Sequence, residues 1–250
     1  ILVLVLTQCD LQALLAQLHH AGPAALPMLL GLYCVYFAAD ALNWQAALPG
    51  HDGGLWFLRL YAIRMAGDAY NNLMPSATIG GEVIKACLLK QRHGVNLRVS
   101  GVSLLIARTT SMLALALFCA LGLVFLCLSS SFSNVPKAAA AAGLLIVVMG
   151  TGLVLAFQCL RISSRIVRVA GTRRFGRRLA AMAAVIEDVD ARLVEFYQSR
   201  PGRLGLGIGA AFLTWILGTV EFWLVLSALG FQAAFQDVLI LESFVQVARA

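Results

Sequence analysis

Charge is scarce in this chain. Only 12% of its 250 residues are Asp, Glu, Lys or Arg, 60% are hydrophobic, and the mean hydropathy is +0.85. A soluble domain has roughly 25% charged and 45–50% apolar residues, so this composition excludes one and requires an integral membrane protein. Cysteine is present but unpatterned. The six (Cys9, Cys34, Cys87, Cys119, Cys127, Cys159) form no C-x-x-C pair, which leaves neither a zinc site nor a disulfide framework supported. They read as small packing residues. The four histidines (His19, His20, His51, His93) fall in expected loops or interfacial positions, and no metal site is expected from them. A Walker A loop, an H-E-x-x-H motif and a nucleophile–base arrangement are all missing. Gly205-Leu-Gly-Ile-Gly209 follows no strand and opens a spanning helix, so it reads as a close helix-packing surface rather than a dinucleotide fingerprint. No catalytic residue and no cofactor are expected.

What the chain does have is a series of greasy segments. Ile1-Leu-Val-Leu-Val-Leu6 reads as the tail of a first span, and residues 10–19 carry leucines on one helical face, as an interfacial helix would. Spans are expected over residues 24–44, 99–128, 138–160 and 204–229, with a last one beginning at 238 and still apolar at Ala250. Residues 129–136 and 230–237 are short polar turns. Residues 161–203 form a basic loop containing an amphipathic helix, with Leu179, Met182, Ile186, Val189, Leu193 and Phe196 at three- and four-residue spacing. The net charge of +7 is concentrated in loops, which suits the positive-inside rule better than nucleic-acid binding. The basic stretches 85–98 and 161–203 are expected to be cytoplasmic.

Residues 55–92 break the pattern. Residues 55–70 are interrupted by Arg59, Arg64 and Asp68, and Pro75 disfavours helix at Met74. Ser76 or Thr78 can cap a new helix, and Gly80-Gly81 allows close approach to its first turn, where exposed N–H groups attract anions. This predicts a helix–break–helix hairpin dipping into the bilayer; a polar loop between interfacial helices is the alternative. If the segment dips and returns, the 45–54 loop lies on the cytoplasmic side; if it crosses, that loop is external.

Charged residues at membrane depth cost about 2.5–3.5 kcal/mol to insert and are functional candidates. Arg108 lies about 12 Å along its helix from Ser100. It can snorkel, hold a lipid phosphate, or pair with Glu221 or Glu242. Glu221 is flanked by Trp215 and Trp223 and is expected to be buried and partnered. Glu242, Gln246 and Arg249 share one helix face, which is expected to line the bundle interior.

Three stretches carry a family resemblance: Asn71-Asn-Leu-Met-Pro75 with Ile79-Gly-Gly-Glu-Val-Ile-Lys85; Trp215 with Glu221-Phe-Trp-Leu224; and Leu241-Glu-Ser-Phe-Val-Gln-Val-Ala-Arg249. Through them the chain resembles the flippase-like transmembrane family that includes the membrane half of lysylphosphatidylglycerol synthase. It looks closest to the branch associated with bacterial hopanoid biosynthesis. Lys85 stands where many relatives have Arg, and Ala107 precedes Arg108 where many have an acidic residue. The resemblance implies a protein of the bacterial inner membrane that holds a lipid and helps it change leaflet. It also implies a second hairpin after Ala250.

The expected fold is therefore all-α, a polytopic membrane bundle forming one domain over residues 1–250, with a re-entrant hairpin and interfacial helices. Asn71, Asn72, Pro75, Ser76, Thr78, Gly80, Gly81, Glu82, Lys85 and Arg108 are the candidate headgroup residues. Trp215, Glu221, Trp223, Glu242, Gln246 and Arg249 are the candidate intramembrane polar route. The expected partners are membrane lipids and lipid-biosynthesis enzymes, with no nucleic acid. A membrane region of a lipid-modifying transferase and a non-transporting scaffold are the competing readings.

Overall fold

The computed structural model describes residues 25–48, 50–73, 79–129, 134–160 and 176–249. The expected segments at 1–6 and 10–19, the Pro75, Ser76 and Thr78 positions, and the first part of the basic loop lie outside these residues. The described residues form eight helices and no strand: α1 Ala25–Ala47, α2 Gly54–Leu73, α3 Ile79–His93, α4 Leu97–Leu128, α5 Asn134–Cys159, α6 Gly176–Ser199, α7 Pro201–Ala228 and α8 Phe235–Arg249. The protein is an all-α polytopic membrane bundle. Among the described residues, four segments are long and apolar enough to cross a bilayer: Leu26–Ala47, Leu97–Leu128, Lys137–Cys159 and Pro201–Ala228. The described part of α8 is 15 residues, about 22 Å.

Local chemistry sets the helix ends. Gly94, at φ 70°, closes α3 through its N–H to Lys90 O at 2.9 Å. Two residues later Asn96 Oδ1 accepts from Arg98 N at 2.9 Å and caps α4. Pro201 opens α7, where its missing N–H costs nothing. The 129–136 turn is shorter than expected, because α5 already begins at Asn134 and tolerates Pro136 in its first turn.

The bundle has one basic end, built from the 48–54 and 94–97 loops and the start of α7. Arg203 joins them. Its Nε donates to Ala46 O (2.9 Å), Nη2 to Gln45 O (2.9 Å) and Leu48 O (3.2 Å), and both terminal nitrogens grip the Asp52 carboxylate at 3.0 and 2.9 Å. Trp44, Leu48, Leu60, Ile63, Leu89 and Val95 form an apolar cluster beside it. The amphipathic α6 packs Leu193 and Phe196 against Ala47, Val102 and Ile106, and its Tyr197 OH donates to Gln158 of α5 at 2.7 Å.

Deeper in the bundle, lipid tails are as apolar as leucine, so close backbone approach matters more than burial. Gly122 meets Ser243, Gly143 meets Val247, and a Cβ on Gly207 would stand 3.1 Å from Asn43 Oδ1. Of the three glycines at 205–209, only Gly207 makes such a seam; nothing lies within 4 Å of a Cβ on Gly205 or Gly209. The outer surface is apolar, with Leu145, Ile146, Met149 and Leu153 of α5 exposed.

Candidate functional site

The α2–α3 segment is an antiparallel hairpin. Its pairings run 71 with 81 (Gly81 N to Asn71 Oδ1, 2.8 Å), 67 with 85 (Lys85 against Gly67) and 56 with 93 (ring centroids 5.6 Å apart). Both feet stand at the basic end, since Asp52 is tied to Arg203 and Val95 packs with Trp44 and Leu48.

The hairpin carries a charged cluster. Arg64 Nε of α2 pairs with Asp40 Oδ2 of α1, and Arg64 Nη1 lies 3.6 Å from Glu82 Oε1 of α3. Lys85 Nζ takes the same Glu82 oxygen at 2.8 Å. Lys85 is fully buried, its stem lying where a side chain on Gly67 would stand. Each cation thus has an anion beside it, the condition under which charge is tolerated at low dielectric. In the sequence Arg64 stands out only as an interruption of residues 55–70, and neither it nor Asp40 is among the expected site residues. The available signal was that Asp40 is a lone charge in an apolar helical stretch and Arg64 a charge of opposite sign on the next helix.

On the far side of this cluster, Asp40, Asn43, Arg64, Glu82, Arg108 and Ser111 line a cavity of about 50 Å³. That volume is enough for a water molecule and too small for a headgroup. Asn43 is fully engaged as a brace: it donates to Ala107 O and Ser111 Oγ at 3.1 Å and accepts from Thr110 Oγ1 at 2.6 Å. Arg108 is different. It is exposed, and among the described residues it forms no ion pair or hydrogen bond. It lies about 16 Å along α4 from Leu97.

The expected headgroup residues therefore divide. Glu82 and Arg108 reach the cavity. Lys85 sits inside the hairpin, its charge engaged by Glu82, and Asn71 is a tie between the limbs: its Oδ1 caps the Gly81 N–H, and a Cβ on Gly81 would strike its carboxamide. Gly80 is partly buried and Asn72 is exposed.

The expected polar route stands apart. Glu221 is about 30 Å along α7 from Pro201, toward the opposite end from Arg203. It is partly buried, with no hydrogen bond or ion pair among the described residues, and Arg108 pairs with neither glutamate. Glu242 Oε1 accepts from Gln246 Nε2 at 2.6 Å, on a helix that ends at Arg249. Trp215 stacks on Phe118 at 6.0 Å, its indole N–H buried without an acceptor among the described residues. Trp223 Nε1 donates to Ala233 O at 3.0 Å, closing the α7–α8 turn.

No curated protein and no solved structure matches the chain. The sequence profile of one family does, over residues 1–248. With nearly the whole chain covered, and with the bundle and hairpin described above, the protein belongs to the family described as the lysylphosphatidylglycerol synthase TM region.

Proposed function

We propose that the protein is a lipid-handling membrane component that holds the anionic headgroup of an amphiphile at Arg108 and assists its passage between leaflets of the bacterial inner membrane. The observation that carries this reading is the open guanidinium of Arg108 beside a cluster whose other cations, Arg64 and Lys85, are each paired with a carboxylate. Arg64 pairs with Asp40 and Lys85 with Glu82, whereas Arg108 has no anion paired to it among the described residues, which suits a phosphodiester. Guanidinium matches phosphate in geometry and stays charged. Admission of a headgroup requires the hairpin to shift away from α4, because the cavity as it stands takes only water-sized guests. An uncharged hopanoid fits such a site poorly, so the hopanoid association rests on sequence resemblance alone.

The test is dithionite quenching of fluorescent phosphatidylglycerol in proteoliposomes. Hydrogen bonds to charged groups contribute about 1.5–3 kcal/mol, so Arg108→Gln should slow translocation roughly tenfold or more. A rate equal to wild type in correctly inserted protein removes the assignment.

A second reading is favoured by the family's description: the chain is the membrane region of a lipid-modifying transferase. Aminoacyl transfer to phosphatidylglycerol by membranes containing the natural full-length protein, with translocation absent, would select it.

A further inference from the structure

We propose that a cleft at the basic end, between α1, α4 and α6, binds one anionic glycerophospholipid at a site separate from the Arg108 cavity. The cleft has a volume of about 320 Å³, at the lower end of the roughly 300–1,000 Å³ usual for small-molecule sites. Its floor is apolar: Val99, Val102 and Ile106 of α4, with Phe196 of α6. Its mouth carries Arg192, Glu195 and Arg200, a net charge of +1. Arg192 pairs with Asp188 at 3.1 Å, an exposed pair of the kind that contributes little and exchanges readily. The Arg200 guanidinium has no partner among the described residues.

The cleft is built rather than left over. Leu193 and Phe196 anchor α6 against Ala47, Val102 and Ile106, and the Tyr197–Gln158–Thr109 chain, at 2.7 and 3.1 Å, pins it to α5 and α4. A soluble anion has no use for the apolar floor, and a neutral tail has none for the mouth. An amphiphile with one negative charge uses both. Arg200 stands just before the first turn of a span, the level at which headgroups lie, and α6 is the amphipathic helix that would face them.

The two cavities flank the α1–α4 seam. The cleft uses α4 positions 99, 102, 103 and 106, and the Arg108 cavity uses 104, 107, 108 and 111. Trp44 Nε1 closes the wall between them by donating to Ser103 Oγ at 3.0 Å.

Native mass spectrometry of the full chain, given equal palmitoyl-oleoyl phosphatidylglycerol and phosphatidylcholine, tests the site. Wild type should retain one phosphatidylglycerol in preference to phosphatidylcholine. Arg192→Gln/Arg200→Gln should lower that retention roughly tenfold or more, and Val102→Trp, which fills the floor, should abolish it. The charge-matched Arg59→Gln/Arg92→Gln, on α2 and α3, which line no part of the cleft, should retain lipid as wild type does. Excess glycerol 3-phosphate should not displace the lipid. Equal loss in the charge-matched control, full retention in the Arg192/Arg200 double variant, or displacement by glycerol 3-phosphate each overturns the proposal. The two cleft variants are read separately, so failure of Val102→Trp to fold leaves the arginine pair decisive. Arg108→Gln should keep this lipid, so the outcome is independent of the translocation reading.

Discussion

The stem of Lys85 occupies the space that a side chain on Gly67 would fill: a Cβ at position 67 would stand 2.6 Å from Lys85 Cγ and 3.1 Å from Cδ. The missing side chain on one limb of the hairpin is what lets a lysine on the other be fully buried and still reach Glu82.

Gly67→Ala is expected to destabilise the protein by about 1–3 kcal/mol, the usual cost of overpacking. In an open helical position the same change stabilises by up to about 1 kcal/mol, because alanine is the better helix former. Gly101, with nothing within 4 Å of its Cβ position, is the matched control. Thermal unfolding of both variants in detergent checks the pair; a gain at both positions would contradict the packing described.

Asp40→Ala leaves Arg64 partly buried, with Glu82 at 3.6 Å and the charge of Asp68 as its remaining compensation. Removing one partner of a buried pair costs about 3–5 kcal/mol, whereas replacing both by apolar groups is often neutral. Asp40→Ala/Arg64→Leu should therefore recover most of the stability that Asp40→Ala loses, as measured by midpoint shifts in denaturant.

Asp52→Asn and Arg203→Ala should differ sharply, although they break the same ion pair. Asp52 is largely exposed, and pairs of that kind contribute about 0.2–1 kcal/mol. Arg203 also serves three carbonyls at the end of α1, so its loss leaves those acceptors without their donor. The arginine variant should show several times the loss in melting temperature of the aspartate variant.

His93 provides a pH dependence. Burial, then Arg59 and Arg92, hold its pKa below the usual 6.5. The folded state thus binds its proton less readily than the unfolded chain, so stability is full above pH 6.5 and falls as the pH drops toward the folded value. Melting curves between pH 8 and 5 should show a smaller acid loss for His93→Gln than for wild type.

The four spans were legible in the sequence because a run of apolar residues declares itself locally. The pairing of Asp40 with Arg64 and of Arg64 with Glu82 joins residues far apart in the chain, and nothing local announces it. Lys85 read as an open cation because the space for its stem is made by a glycine on the other limb. The sequence likewise treated Arg108 and the two glutamates as potential partners, whereas their positions along α4, α7 and α8 place them at different depths. Arg203 escaped notice because its role depends on carbonyls, which every residue has.

Both feet of the hairpin stand at the same end of the bundle, tied there through Asp52 and Val95. The chain therefore leaves and rejoins one face between α1 and α4, and the excursion is parity-neutral: it reverses the direction of no later helix. Excising residues 54–93 with a short bridge should leave the sidedness of α4 to α8 as it is, while removing the charged cluster entirely.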